Sequence, residues 1–131
     1  MNRICFIVIM KSEKLSHAIA QLSLTKMAED VVILDLRKLT TMTDFFVICS
    51  AETDIQVRAI TDAILDGLTP KKIKPWQNEG KESSNWVLLD LDDVVVHIFQ
   101  TQSREYYQLE KLWGDAVITP VTDTLEISIE E

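Results

Sequence analysis

The chain has 131 residues, 47% hydrophobic and 26% charged, with a formal net charge of −8. That length suits one domain with its own core, held without disulfide or metal staples. The acidic balance argues against a mainly electrostatic grip on nucleic-acid phosphates, which needs clustered Lys and Arg, and permits docking on a basic protein.

Ile4–Met10 (I-C-F-I-V-I-M) is an apolar run too short to span a membrane, and no small-residue cleavage site follows it. It reads either as an extension ahead of a true start at Met10, or as an added strand or helix turn. Residues 1–10 are therefore set apart from a domain over 11–114 and an acidic tail over 115–131. The two cysteines, Cys5 and Cys49, form no Cys-x-x-Cys or Cys/His ligand spacing, which fits a reducing cytoplasm.

Ser12 to Leu24 reads as a helix capped by Ser12, with Leu15, Ala18, Ile19 and Leu22 on one face. Val31 to Leu36 and Phe45 to Cys49 are near-continuous apolar runs, the mark of strands buried on both faces. A Thr-rich connection joins them. Thr53 with Gln56 three residues on is a capping-box pattern. The helix it opens carries Val57, Ile60, Ile64 and Leu68 as its stripe and ends at Gly67 and Pro70. A short strand near Ile73 to Trp76 and a polar loop over 77–84 follow. Trp86 to Leu89 and Val94 to Phe99 form a hairpin around an acidic turn. Ser103 to Trp113 is the last helix, with Tyr106, Leu109, Leu112 and Trp113 on one side and Tyr107 and Glu110 turned away. In the tail, Leu125, Ile127 and Ile129 alternate with polar residues, so an edge strand is expected there. This order indicates an α/β (α+β) single domain with a mixed sheet.

Three features exceed what a core requires. The first is the carboxylate cluster Asp90, Asp92 and Asp93. On a strand, Asp90 and Asp92 would point to one side, and paired carboxylates can hold Mg²⁺ with substrate phosphates. That makes a metal-dependent nucleotidyltransferase using Asp44, Asp90 and Asp92 the enzyme alternative. Against it, Cys49-Ser50-Ala51 stands where such enzymes carry Gly-Ser, and no glycine-rich cradle exists. Aspartates also favour tight turns for local reasons. The second feature is His97 in an apolar strand, read as a partly buried, hydrogen-bonded structural histidine because no catalytic set surrounds it. The third is Tyr107, which leaves the helix's apolar face and joins Trp86 as a candidate interface anchor. Trp86 reads equally as core. Asp44 reads as a loop cap or a contact residue. Arg104 and Glu105 read as solvated charges, with Arg104 able to reach a turn aspartate.

The segments T-D-F-F-V-I-C-S (Thr43–Ser50), Gln56-Val57-x-Ala59-Ile60, W-V-L-L-D-L-D-D-V-V-V-H-I-F (Trp86–Phe99) and R-E-Y-Y-Q-L-E-K-L-W (Arg104–Trp113) resemble the ribosomal silencing factor, or Iojap, family. The resemblance runs from about Leu15 to Trp113 in order and spacing. It implies a mixed five-stranded sheet flanked by helices, related to nucleotidyltransferases but without their catalytic set. It also implies a non-enzymatic factor with no cofactor. Such a factor binds the large ribosomal subunit through its ribosomal protein fourteen and blocks joining of the small subunit, with no membrane and no nucleic acid as main contact. Homodimers are implied too. The matching positions are Asp44, Gln56, Trp86, Asp90, Asp93, His97, Arg104, Tyr107, Glu110 and Trp113. The expected partner surface takes in Trp86, Asp90, Asp92, Asp93, Tyr107, Glu110, Arg104 and Asp44. Two departures stand out: Asp92 and Ala51 replace glycines usual in the family.

Overall fold

The computed structural model describes residues 2–122, with side chains from residue 12 onward. The first helix, α1 (Asn2–Leu24), packs beside α2 (Asp54–Leu68) on one face of a six-stranded sheet. The strands are β1 (Glu29–Asp35), β2 (Phe45–Ala51), β3 (Gln77–Glu79), β4 (Trp86–Asp90), β5 (Val94–Gln100) and β6 (Val117–Pro120), in spatial order β3-β4-β5-β2-β1-β6. Only β2 and β5 run parallel; every other pairing is antiparallel. The α+β class and the mixed sheet are as the sequence indicates, with six strands where five were expected. The extra strand is β6, which pairs with β1 from within the segment read as acidic tail. The alternation over Leu125–Ile129 lies outside the described residues.

The main core fills the space between the sheet and the two long helices. Ile19, Ala20, Val57, Ile60 and Ile64 meet Val47, Cys49, Val96 and Ile98, all fully buried. The double-sided burial predicted for β2 follows from its central place, since five of its residues in a row are inaccessible or nearly so. A second, smaller cluster lies on the opposite face: Leu34, Leu36, Ile48, Phe99 and Leu109, with Phe46, Trp86 and Trp113 at its rim.

Several local expectations are corrected. Ser12 is not a cap, because α1 runs through it; the side chain is buried and its hydroxyl donates to Asp44 Oδ2 at 3.2 Å. Thr53 does cap α2, accepting from the Gln56 N–H at 3.1 Å. The Gln56 side chain does not close the box; it donates to the carbonyls of Lys26 and Met27 and ties down the end of α1. Gly67 is no terminator either. A Cβ there would stand 2.5 Å from a Leu22 methyl, so its bareness sets the approach of α1 to α2. The chain leaves α2 through a 3₁₀ turn, Thr69–Lys71, and Lys72 in left-handed conformation (φ 60°).

No strand forms over Ile73 to Trp76. Pro75 has no N–H to give a ladder, and pairing begins only when the Trp76 N–H donates to the Asp90 carbonyl. The β3–β4 connection needs Gly80: its φ is +90°, and any Cβ would collide with the Trp86 carbonyl.

The last helix is broken. Gln108, left-handed at φ 49°, divides α3 (Thr101–Tyr107) from α4 (Leu109–Leu112). No Gly or Pro marks the break. The bend brings Arg104 and Glu110 together, residues that would lie about 120° apart and nearly two turns distant on an unbroken helix. The bend also undoes the expected apolar side. Leu109 is buried and Trp113 half-buried, but Tyr106 and Leu112 are exposed.

Candidate functional site

Strand alternation puts Val87 and Leu89 of β4 against the helices and turns Trp86, Leu88 and Asp90 to the other face. The register sets Trp86 opposite Phe99, Leu88 opposite His97 and Asp90 opposite Val95. On the next strand Phe46 lies beside Val95. This face carries no long helix. It is a half-open apolar shelf with an aromatic end and an acidic end.

Trp86 organises the aromatic end. Its ring stacks on Phe99 with centroids 4.9 Å apart, and Tyr107 leans on it at 4.8 Å. Tyr107 remains 53% exposed, and Trp86 is half-buried, so Trp86 is neither pure core nor free surface. The Trp86 indole N–H donates to His97 Nδ1 at 3.0 Å. An indole can only donate, so Nδ1 must be unprotonated and the neutral ring carries its hydrogen on Nε2. Burial favours that neutral form and pushes the His97 imidazole down to about 4. Nε2 finds no polar partner, a situation that costs about 1–3 kcal/mol for a buried donor. His97 is thus the hydrogen-bonded histidine expected, packed edge-on to Phe46 with centroids at 4.5 Å.

At the acidic end the strand stops at Asp90, so Asp90 and Asp92 do not line one strand face as a metal pair would. Asp92 occupies a left-handed turn position (φ 74°), and its N–H donates to Asp90 Oδ1 at 2.9 Å. This is the local Asx turn. The Asp93 carbonyl accepts from the N–H groups of Asp44 and Phe45, fastening the turn to the start of β2. Burial, with Asp44 and Asp92 nearby, raises the Asp93 carboxyl above its ordinary range. Asp44 and Asp93 are brought together, but among the described residues no group of three or more His, Cys, Asp or Glu could hold a metal ion.

Arg104 and Glu110 stand elsewhere. Arg104 is neither solvated nor paired with a turn aspartate: its side chain is 11% exposed and donates through Nε and Nη2 to Glu110 Oε2 at 3.2 and 2.8 Å. Nη1 donates to Ser50 Oγ at 3.0 Å and to the Glu29 carbonyl. The pair forms the wall of a crevice of about 580 Å³ beyond the ends of β1 and β2, also lined by Asp30, Thr101 and Lys111. Behind it Cys49 is fully buried, and desolvation pushes its thiol up to about 12.

The structure therefore groups Trp86, Tyr107 and Asp90 on one shelf, with Asp92 and Asp93 in the turn at its end, engages the Asp44 carboxylate with Ser12 of α1, and assigns Arg104 and Glu110 an internal bond. Sequence reasoning missed Phe46 and Leu88, whose period-2 placement was hidden inside continuous apolar runs, and left Val95, which alternation sets on the face of His97 and Phe99, out of the site. It also missed Trp76, which is 79% exposed beside the Asp90 end. No helix among the described residues is long and apolar enough to cross a membrane.

The model of the family described as ribosomal silencing factor during starvation matches residues 9–131. The Bacillus subtilis ribosomal silencing factor RsfS is 46% identical over 91 residues, 70% of this chain and 77% of its own length. The chloroplastic protein Iojap of Zea mays is 37% identical over 94 residues, covering 72% of this chain and 40% of that longer protein. A crystal structure of a Chromobacterium violaceum protein, 31% identical, superposes with a TM-score of 0.72 over 81% of this chain and 86% of its own. With a family match across nearly the whole chain, and relatives that share both sequence and fold, this chain belongs to the ribosomal silencing factor (RsfS/Iojap) family.

Proposed function

We propose that this protein represses translation in the cytoplasm by sitting on the large ribosomal subunit, through ribosomal protein fourteen, and blocking the small subunit sterically. The observation that carries this reading is the half-open shelf with Trp86 and Tyr107 at one end and Asp90, Asp92 and Asp93 at the other, Asp44 standing behind the turn and bonded to Ser12. A ring cluster supplies an anchor of the kind that dominates interfaces, and the carboxylates suit a basic partner. Arg104 and Glu110 contribute by tying α4 to the ends of β1 and β2. A footprint of roughly 800 Å² on each side suffices for a specific complex, and no bond need be made or broken. A homodimer would leave this mechanism unchanged as long as the shelf stays free.

The test is sedimentation of large subunits with the protein, followed by addition of small subunits. Co-sedimentation and fewer joined ribosomes are expected, with weaker retention at higher salt. Trp86→Ala and Tyr107→Ala should each reduce retention by about tenfold or more, the scale of interface anchors. Unhindered joining at saturating protein, with none of it on the large subunit, rules the mechanism out. Normal retention of both folded variants moves the contact to another face.

A further inference from the structure

Trp86 could present its ring to a partner in two ways, N–H edge outward as a donor, or turned in. The structure holds it turned in. We infer that His97 is a positioning residue for the docking shelf, its Nδ1 keeping the Trp86 indole N–H inward so that the ring meets a partner with carbon alone. This rests on the docking role proposed above.

Three observations converge on it. Trp86 and His97 are diagonal neighbours across the β4–β5 ladder, since Leu88 is the residue directly opposite His97. Only long or aromatic side chains reach across that diagonal, and here they do so through a 3.0 Å hydrogen bond. His97 is also an odd choice for filling space. It is 4% exposed among Phe46, Trp86 and Phe99, where a leucine would bring no polar atom of its own to satisfy. The imidazole instead leaves Nε2 without a polar partner, so its one polar act is to accept from Trp86. Lastly, the indole is already clamped by Phe99 and Tyr107, and the hydrogen bond removes the remaining freedom to rotate its nitrogen edge to the surface. An anchor ordered before binding loses less on association. The partner group over Trp86 is accordingly carbon surface with no acceptor to offer the indole.

Affinity for purified large subunits, read by sedimentation titration, tests this when combined with an indole signal. His97→Leu should weaken binding about fivefold, the scale of one net hydrogen bond. His97→Asn places an acceptor near the Nδ1 position and should stay within about twofold of the native protein. In a Trp86→Phe background, His97→Leu should change binding by less than about twofold, because the donor it serves is gone. In the ¹⁵N–¹H spectrum of the free protein, His97→Leu should move the Trp86 indole peak and speed its exchange with water. A folded His97→Leu that binds as the native protein does overturns the inference. So does an equal loss in the Trp86→Phe background, or an indole peak indifferent to His97. Native protein that never rides on large subunits removes the docking reading instead, and the indole peak still decides whether His97 positions Trp86.

Discussion

Removing the Glu110 carboxylate isolates the contribution of the least exposed ion pair among the described residues. In Glu110→Gln, Arg104 keeps Ser50 Oγ and the Glu29 carbonyl but loses the charge that balances its guanidinium. Breaking a buried pair from one side costs about 3–5 kcal/mol, because the remaining charge stays desolvated. The Glu110 side chain is 30% exposed and opens on a crevice, so water partly replaces it and a loss of about 2 kcal/mol is expected. Glu105→Gln, the same chemical change at an exposed neighbour, should stay within about 0.5 kcal/mol. Urea unfolding of the two variants at neutral pH gives the comparison. The slope should be unchanged for Glu105→Gln, and the midpoint should fall clearly only for Glu110→Gln. Equal midpoints would refute the reasoning, showing that the Arg104 pair does not hold α4 to the sheet.

Other outcomes follow from the same geometry. His97 titrates near 4 when folded and near 6.5 when unfolded, so the unfolded chain takes up the proton first; stability should fall on the order of 3 kcal/mol as pH drops from 6.5 to 4. His97→Leu should lack that share of the slope in pH-dependent denaturation, and an identical slope defeats the assignment. Asp93 acts in the opposite sense. Its carboxyl is raised in the folded state, so its contribution is favourable below the ordinary carboxylate value and is lost as pH rises through the folded one. Asp93→Asn should therefore raise the urea midpoint at neutral pH and give no gain below about pH 4. Cys49, examined in a Cys5→Ser background, should react with a thiol reagent only as fast as the protein opens; prompt labelling of folded protein contradicts its burial.

The elements legible in the sequence were those with strong, local signals. Period and capping placed α2, and the apolar runs placed β1, β2, β4 and β5. What escaped was set by partners distant in the chain. Gly67 resembles a helix terminator until Leu22 is seen against it. Gln56 resembles half of a capping box until the end of α1 arrives. The kink at Gln108 has no residue that announces it, and the Arg104–Glu110 ion pair that accompanies it joins residues a straight helix would keep apart. The site divides the same way. Trp86, Tyr107 and the turn aspartates stood out as exceptions to pattern, whereas the half-buried Phe46 and Leu88 obey the pattern and reveal their open side only in register.

The middle of the sheet is joined by β2 and β5, whose first matched residues, Phe45 and Val94, are 94 − 45 = 49 positions apart. Such distant parallel pairing makes for slow assembly from an extended chain. During synthesis β2 must wait, an apolar strand with its central neighbour still unmade, until residues 94–100 have emerged. This chain thus cannot complete the centre of its sheet, or display its shelf, before the ribosome producing it has passed β5.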